Sequence, residues 1–205
     1  MLECRNVTFT YPGGETIVQN FSLCIQPGER VFLAAPSGFG KTTLCQLMAN
    51  YLVPSSGEVL VDGDNFKKHE VCPVQLIGQH PEHMLDPRMR MRDSLLEAGN
   101  PDEHLIWHLG IRDEWMSRYP HELSGGELQR FCIARALTAN PKYLVADEVS
   151  TMLDALTQAR VWHVILDEAE KRNLGLVFTT HSEALAERVA TRRIDLLDVD
   201  VQYCS

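Results

Sequence analysis

The chain has 205 residues, 44% of them hydrophobic, enough to bury a core and to form one domain with a small appended lobe. Its formal net charge of −9 argues against the broad basic face on which a nucleic-acid platform depends, so no nucleic-acid partner is expected. No apolar run reaches bilayer length, and the opening MLECRNVTFT lacks the apolar centre of a signal peptide.

Residues 2 to 32 alternate apolar and polar positions around the turn YPGGE, a pattern of antiparallel strands. The pattern then changes to short, almost continuous apolar runs, RVFLAA, VQLIG, KYLVAD and LGLVFTT, which suit strands of a parallel sheet buried on both faces. After Lys41, the residues Leu44, Leu47, Met48, Tyr51 and Leu52 recur at helical spacing until PSSG breaks the run. Residues 84–140 carry helix-like patterning without buried-strand runs and read as an inserted helical lobe. Residues 154–172 and 182–190 read as further helices. Strands alternating with helices imply an α/β fold with crossover connections: a core from 1–83 and 141–205, with an N-terminal antiparallel part, and the helical lobe at 84–140. The six cysteines (Cys4, Cys24, Cys45, Cys72, Cys132, Cys204) are scattered without a C-x-x-C pair, which fits reduced, buried thiols in cytoplasm better than disulfides or a zinc site.

The stretch LAAPSGFGKTT, Leu33 to Thr43, has the order of a phosphate-binding loop: an apolar strand, a glycine-containing turn, then a lysine opening a helix. Glycines let backbone N–H groups converge on a polyphosphate, the helix N-terminus adds partial positive charge, and Lys41 adds a full one. The candidate nucleotide contacts are Ser37, Gly38, Gly40, Lys41, Thr42 and Thr43, with the Thr42 hydroxyl suited to Mg²⁺. Ala35 stands where the G-x-x-x-x-G-K-[ST] pattern begins with glycine. Its methyl group is tolerable if φ is negative there. Taken alone, the stretch could be a glycine turn capping a helix.

KYLVADE supplies the second half of a nucleotide site, an apolar strand ending in carboxylates. Asp147 would hold Mg²⁺, directly or through water, and Glu148 would polarise an attacking water.

The third element is LSGGELQR, Leu123 to Arg130, followed by FCIARAL. It resembles the signature of the ATP-binding-cassette (ABC) ATPases, a branch of the P-loop NTPases, and the resemblance runs through the whole chain in the family's order. It implies that Tyr11 stacks on adenine and that Gln79, in IGQHP, is the Q-loop glutamine at the metal and the attacking water. It places Asp154, in STMLD, in the D-loop and makes His181, in FTTHS, the switch histidine near the γ-phosphate. Two such domains would pair head to tail with ATP and Mg²⁺ between them, Ser124, Gly125 and Gly126 of one facing the phosphate loop of the other. Ser124 and Glu127 also form a capping-box pattern at a helix start. Three positions depart from the family's commonest residues: Glu127 where Gln is usual, Thr151-Met152 where Ser-Ala is common, and Gly78 where many relatives have an aromatic.

HPEHMLDPRMRMRDSLLEA and YPHELSGGELQR look like the importer branch that handles dipeptides, oligopeptides or nickel. VTFTYPGGE is also similar to the ATPases of energy-coupling-factor vitamin and metal importers. The resemblance implies a peripheral place on the inner face of the cell membrane. The implied partners are transmembrane permease subunits, an extracytoplasmic substrate-binding protein and a second ATPase domain, identical or different. A soluble ABC ATPase of iron–sulfur assembly or DNA repair is the alternative. His80 and His83 read as polar Q-loop residues rather than metal ligands.

Overall fold

Along β3 (Arg30–Ala34) successive side chains enter two different cores: Val31 and Leu33 one, Phe32 and Ala34 the other. The same alternation governs β7 (Tyr143–Asp147), where Tyr143 and Val145 oppose Leu144 and Ala146, and β8 (Gly175–Thr179), where Val177 opposes Leu176 and Phe178. A strand buried on both faces needs apolar residues at every position, which is why these segments read as unbroken apolar runs. The computed structural model describes residues 1–67 and 70–197.

With β6 (Val74–Ile77) and β9 (Arg192–Asp195), these strands form a five-stranded sheet ordered β6-β7-β8-β3-β9, parallel throughout. A second, antiparallel sheet is ordered β2-β1-β4-β5, from β1 (Leu2–Thr10), β2 (Thr16–Ile25), β4 (Ser56–Val61) and β5 (Asp64–Asn65). It shares one core with α1 (Lys41–Met48) and one face of the parallel sheet. The opposite core is closed by α2 (Met91–Ala98), α3 (Glu103–His108), α4 (Gly125–Thr138), α5 (Ala155–Arg172) and α6 (Glu183–Val189). There the Phe178 ring meets Trp162 edge-on at 5.3 Å. Each such fully buried large apolar side chain contributes about 1.5–3 kcal/mol.

The strand expectation for residues 2 to 32 holds for β1 and β2, whereas β3 belongs to the parallel sheet. Helix α1 stops earlier than its periodicity suggests. Its C-cap is Ala49, and Tyr51, 57% exposed, lies beyond it. The expected strand runs are β3, β6, β7 and β8, and the expected later helices are α5 and α6. Three strands have weaker signals. β4 follows the PSSG break, β5 has two residues, and β9 carries two arginines at the sheet edge. Among the described residues of 84–140 there are helices and 3₁₀ turns but no strand. Cys4, Cys45, Cys72 and Cys132 are free thiols, and burial pushes Cys4 and Cys132 up to about 12, the condition of an inert thiol. Cys24 is disulfide-bonded, against the expectation of reduced thiols, and Cys204 lies outside the described residues.

Candidate active site

The C-terminal end of β3 runs into the phosphate loop, and Gly40 caps α1 in a left-handed conformation (φ 79°). Gly38 has φ 86°, so both glycines occupy backbone space that L side chains rarely enter. At Gly40 there is a second requirement: an added methyl group would lie 2.7 Å from Ile17 Cγ2. Ala35 is not among the positive-φ residues, so its methyl group is accommodated without strain. The first turn of α1 has no side-chain cap and no acidic residue. Its amides and the Lys41 ammonium therefore form a donor set that fits a polyphosphate. Lys41 Nζ donates to the carbonyls of Ala35 (2.7 Å) and Pro36 (3.0 Å), folding the lysine along the loop it opens from.

Thr42 is exposed and Thr43 buried on the same turn. The Thr43 hydroxyl lies 3.2 Å from Tyr11 Oη, and the Tyr11 ring packs edge-on against Phe9 at 4.8 Å. Tyr11 is 40% exposed, which leaves part of its ring accessible beside the loop. Helix α1 also faces the end of β7. Burial first, and then the charge of Asp147, raises the Cys45 thiol well above its ordinary range, while the Lys41 charge opposes this.

At that end of β7, Asp147 is buried and Glu148 leaves the strand with φ 51°. A non-glycine residue there costs about 1–2 kcal/mol. Three bonds hold the turn. The Glu148 N–H donates to Thr179 Oγ1 (3.0 Å), and the Glu148 carbonyl accepts from Thr151 N–H (3.3 Å) and Thr151 Oγ1 (3.1 Å). The carboxylate of Glu148 is held from both sides. Gln79 Nε2 donates to Oε2 at 2.9 Å, and His181 Nε2 lies 2.9 Å from Oε1. Gln79, Glu148 and His181, which come from three distant parts of the sequence, thus meet beside Asp147.

The signature segment forms a separate cleft of about 470 Å³. Ser124 is the N-cap of α4: its Oγ accepts the Glu127 N–H (3.4 Å), and Glu127 Oε2 accepts both the Ser124 N–H (2.8 Å) and the Ser124 hydroxyl (2.9 Å). The Ser124 backbone bond, first, holds the Glu127 carboxyl below its ordinary value. The D-loop lies over the two glycines. A methyl group at Gly125 would be 3.1 Å from Met152 Sδ, and one at Gly126 3.2 Å from Leu153 Cδ2. Asp154 caps α5, accepting from the amides of Leu156 and Thr157 at 3.1 Å. On the far wall the guanidinium groups of Arg112 and Arg130 lie over the Trp115 ring at 5.3 and 5.5 Å. None of residues 36–43 lines this cleft.

Several supporting residues escaped the sequence reading. Buried Gln129 on α4 donates to the Gly78 carbonyl (3.4 Å), immediately before Gln79. Ser150 Oγ accepts from Gln158 (3.0 Å) and Trp162 (3.3 Å), anchoring the D-loop on α5. Thr179 bonds both Asp147 and Glu148. Only Thr179 left a trace in the sequence, as a hydroxyl ending an apolar run.

A parallel sheet with a glycine loop at the end of β3 and acidic residues at the end of β7 is the arrangement of the α/β P-loop NTPase fold. The family model described as ABC transporter matches residues 18–151. The dipeptide transport ATP-binding protein DppF of Lactococcus lactis subsp. cremoris is 33% identical over 220 residues, covering 94% of this chain and 70% of that protein. The glutathione import ATP-binding protein GsiA of Salmonella typhimurium is 34% identical over 194 residues, covering 85% of this chain and 31% of that protein. The chain thus spans about a third of the length of the GsiA relatives. Among solved structures, the post-hydrolysis dimer of the ATP-binding cassette MJ0796 bound to ADP and Pi superposes with a TM-score of 0.82 at 26% identity, covering 95% of this chain and 94% of that one. The chain belongs to the ABC transporter family.

Proposed function

We propose that the chain is the ATPase subunit of a membrane importer that takes up peptides, nickel or a related small solute, working as a head-to-tail pair. The observation that carries this reading is the arrangement of Gln79 and His181 around Glu148, with the signature cleft set apart from the phosphate loop. In this reading a second ATPase domain, identical or different, brings its signature segment to the phosphate loop of the first. The peptide and glutathione import relatives support the importer branch. The permease subunits would dock on the helical lobe, residues 84–140, with 1–83 and 141–205 as the core. An extracytoplasmic binding protein would deliver the solute, and the subunit would sit on the inner face of the cell membrane.

In this reading Ser37, Gly38, Gly40 and Thr43 wrap the phosphates of ATP, Lys41 leaves the Ala35 and Pro36 carbonyls for the β- and γ-phosphates, and Tyr11 packs on the adenine. Thr42, Asp147 and Gln79 would hold Mg²⁺. The chemistry such an ion would supply there is neutralisation of the charge that develops during transfer. Glu148 accepts a proton from the attacking water, and His181 fixes the carboxylate that does so. Ser124, Gly125 and Gly126 offer a helix N-terminus to the partner's γ-phosphate, with Asp154 ordering the adjoining turn.

The test is Glu148→Gln. It should lower phosphate release by about 100-fold or more while keeping ATP binding, and an ATP-dependent dimer should accumulate on gel filtration. Fractionation of cells should place the wild-type chain with membranes, and this should be lost when the permease is deleted. Unchanged turnover in Glu148→Gln would remove Glu148 from its role, and a wholly soluble pool bound to scaffold proteins would remove the importer reading.

A further inference from the structure

We infer that Thr179 is a positioning residue for ATP hydrolysis, its hydroxyl fixing both acidic residues at the end of β7. This rests on the reading of Asp147 as metal-holding and Glu148 as the base. Thr179 ends β8, opposite Asp147 in the parallel register, and its side chain is fully buried (0% exposed). The preceding residues Leu176, Val177 and Phe178 are apolar and equally buried. A hydroxyl placed there is costly unless it is hydrogen-bonded. Its partners are both in the site: it donates to Asp147 Oδ1 at 2.6 Å and accepts the Glu148 N–H at 3.0 Å. The first distance lies at the short end of the O–H···O range.

The two bonds do different things. The bond to Oδ1 restrains the rotation of the Asp147 carboxylate. The bond from the Glu148 amide holds a residue at φ 51°, a conformation an isolated glutamate avoids, and so aims its carboxylate at Gln79 and His181. One hydroxyl therefore sets the spacing between the metal-holding and the water-activating carboxylates. Valine has the same shape as threonine but would leave the Asp147 oxygen and the Glu148 amide buried without this partner.

The test compares Thr179→Val with Thr179→Ser in the full-length chain, alongside Glu148→Gln. In nucleotide-free, metal-free protein, hydrogen exchange at the Glu148 amide should be at least about 10-fold faster in Thr179→Val and near wild type in Thr179→Ser. With ATP, Thr179→Val should lower kcat by roughly 10–100-fold and raise the Mg²⁺ concentration for half-activity several-fold, the scale expected when a group orienting a metal ligand is lost. ATP binding in EDTA should stay within about twofold, and Thr179→Ser should restore every quantity. Should the valine variant not fold, Thr179→Ala carries the same expectations. The inference is overturned if Glu148 exchange, kcat and Mg²⁺ half-activation all remain near wild type while Glu148→Gln is inactive. It is also overturned if serine fails to rescue. If Glu148→Gln itself hydrolyses ATP normally, the underlying assignment of Glu148 fails instead, an outcome distinguishable from the other two.

Discussion

Gln79 Nε2 donates to Glu148 Oε2 at 2.9 Å, joining two loops 69 residues apart in sequence. The Gln79 loop leaves β6 and leads toward the helices of 84–140, and the carbonyl before it is held by Gln129 of α4. A displacement of α4 would therefore be felt at the Glu148 carboxylate through one residue of backbone. The same carboxylate is held by His181 on its other oxygen. Two hydrogen bonds thus connect α4 to the Glu148 carboxylate by way of the Gln79 loop.

Gln79→Ala should remove one of these holds without touching the phosphate loop. The expected result is a fall in kcat of about 10-fold with KM for ATP within about twofold, measured by steady-state phosphate release. An equal loss in ATP affinity would show that Gln79 acts in binding instead.

In the phosphate loop, position by position, the geometry separates tolerance from need. Ala35→Gly should change ATP affinity by less than about twofold, because Ala35 has no positive φ to relieve. Lys41→Ala should weaken binding by about 10-fold or more, since it removes the loop's full positive charge. Gly40→Ala should destabilise the fold by about 1–3 kcal/mol, because strain at φ 79° adds to the approach of Ile17. Gly38→Ala meets no atom within 4 Å and should cost only the backbone strain. Nucleotide titration and thermal melts of the four variants check this ranking, and a large gain from Ala35→Gly would show an impaired site.

The parallel strands were legible in sequence because burial on both faces leaves a continuous apolar run, as in Tyr143–Asp147. The β4 and β9 strands were not. Ser56–Val61 is half exposed and follows a turn-forming segment, and among the described residues Arg192–Asp195 pairs along only one edge. The candidate site residues were picked out by motif order, and three of them, Gln79, Glu148 and His181, meet in the structure. Those that support them were not, because Gln129 and Ser150 act through buried hydrogen bonds to segments far away in sequence. Such partners are set by packing rather than by any local pattern. Thr151 shows the same limit. It reads as a departure in the D-loop, yet its hydroxyl holds the Glu148 carbonyl.

Asp62 joins the turn before β5 to the start of β7 through Lys142 and also meets the N-terminal ammonium. The Lys142 bond, first, lowers the Asp62 carboxyl from its ordinary value. A depressed carboxyl stabilises the fold above its unfolded pKa and loses that contribution as pH falls through the folded one. Asp62→Asn keeps a residue suited to φ 56° while removing the charge. Because both partners are substantially exposed, solvent screening limits the expected loss at neutral pH to about 0.5 kcal/mol. Melts at low and high salt check it: the difference from wild type should shrink in salt and vanish in acid.

Glu127→Gln should move stability and association in opposite directions. A carboxylate at the start of α4 favours the helix dipole by about 0.3–1 kcal/mol, and glutamine can keep the capping-box geometry but not the charge. The variant should therefore melt slightly lower than wild type at neutral pH. The Glu127 carboxyl is depressed in the folded chain, chiefly by the Ser124 amide. Its contribution is present above the unfolded value and is lost as pH falls through the lower folded one, so the two melting curves should converge in acid. The same negative charge lies beside Ser124, Gly125 and Gly126 in the cleft proposed to receive the partner's phosphates. Removing it should strengthen ATP-dependent dimerisation by about 2–5-fold, on the scale of that dipole energy. Sedimentation with and without ATP measures this, and an unchanged ATP dependence would show that the Glu127 charge does not reach the phosphate position.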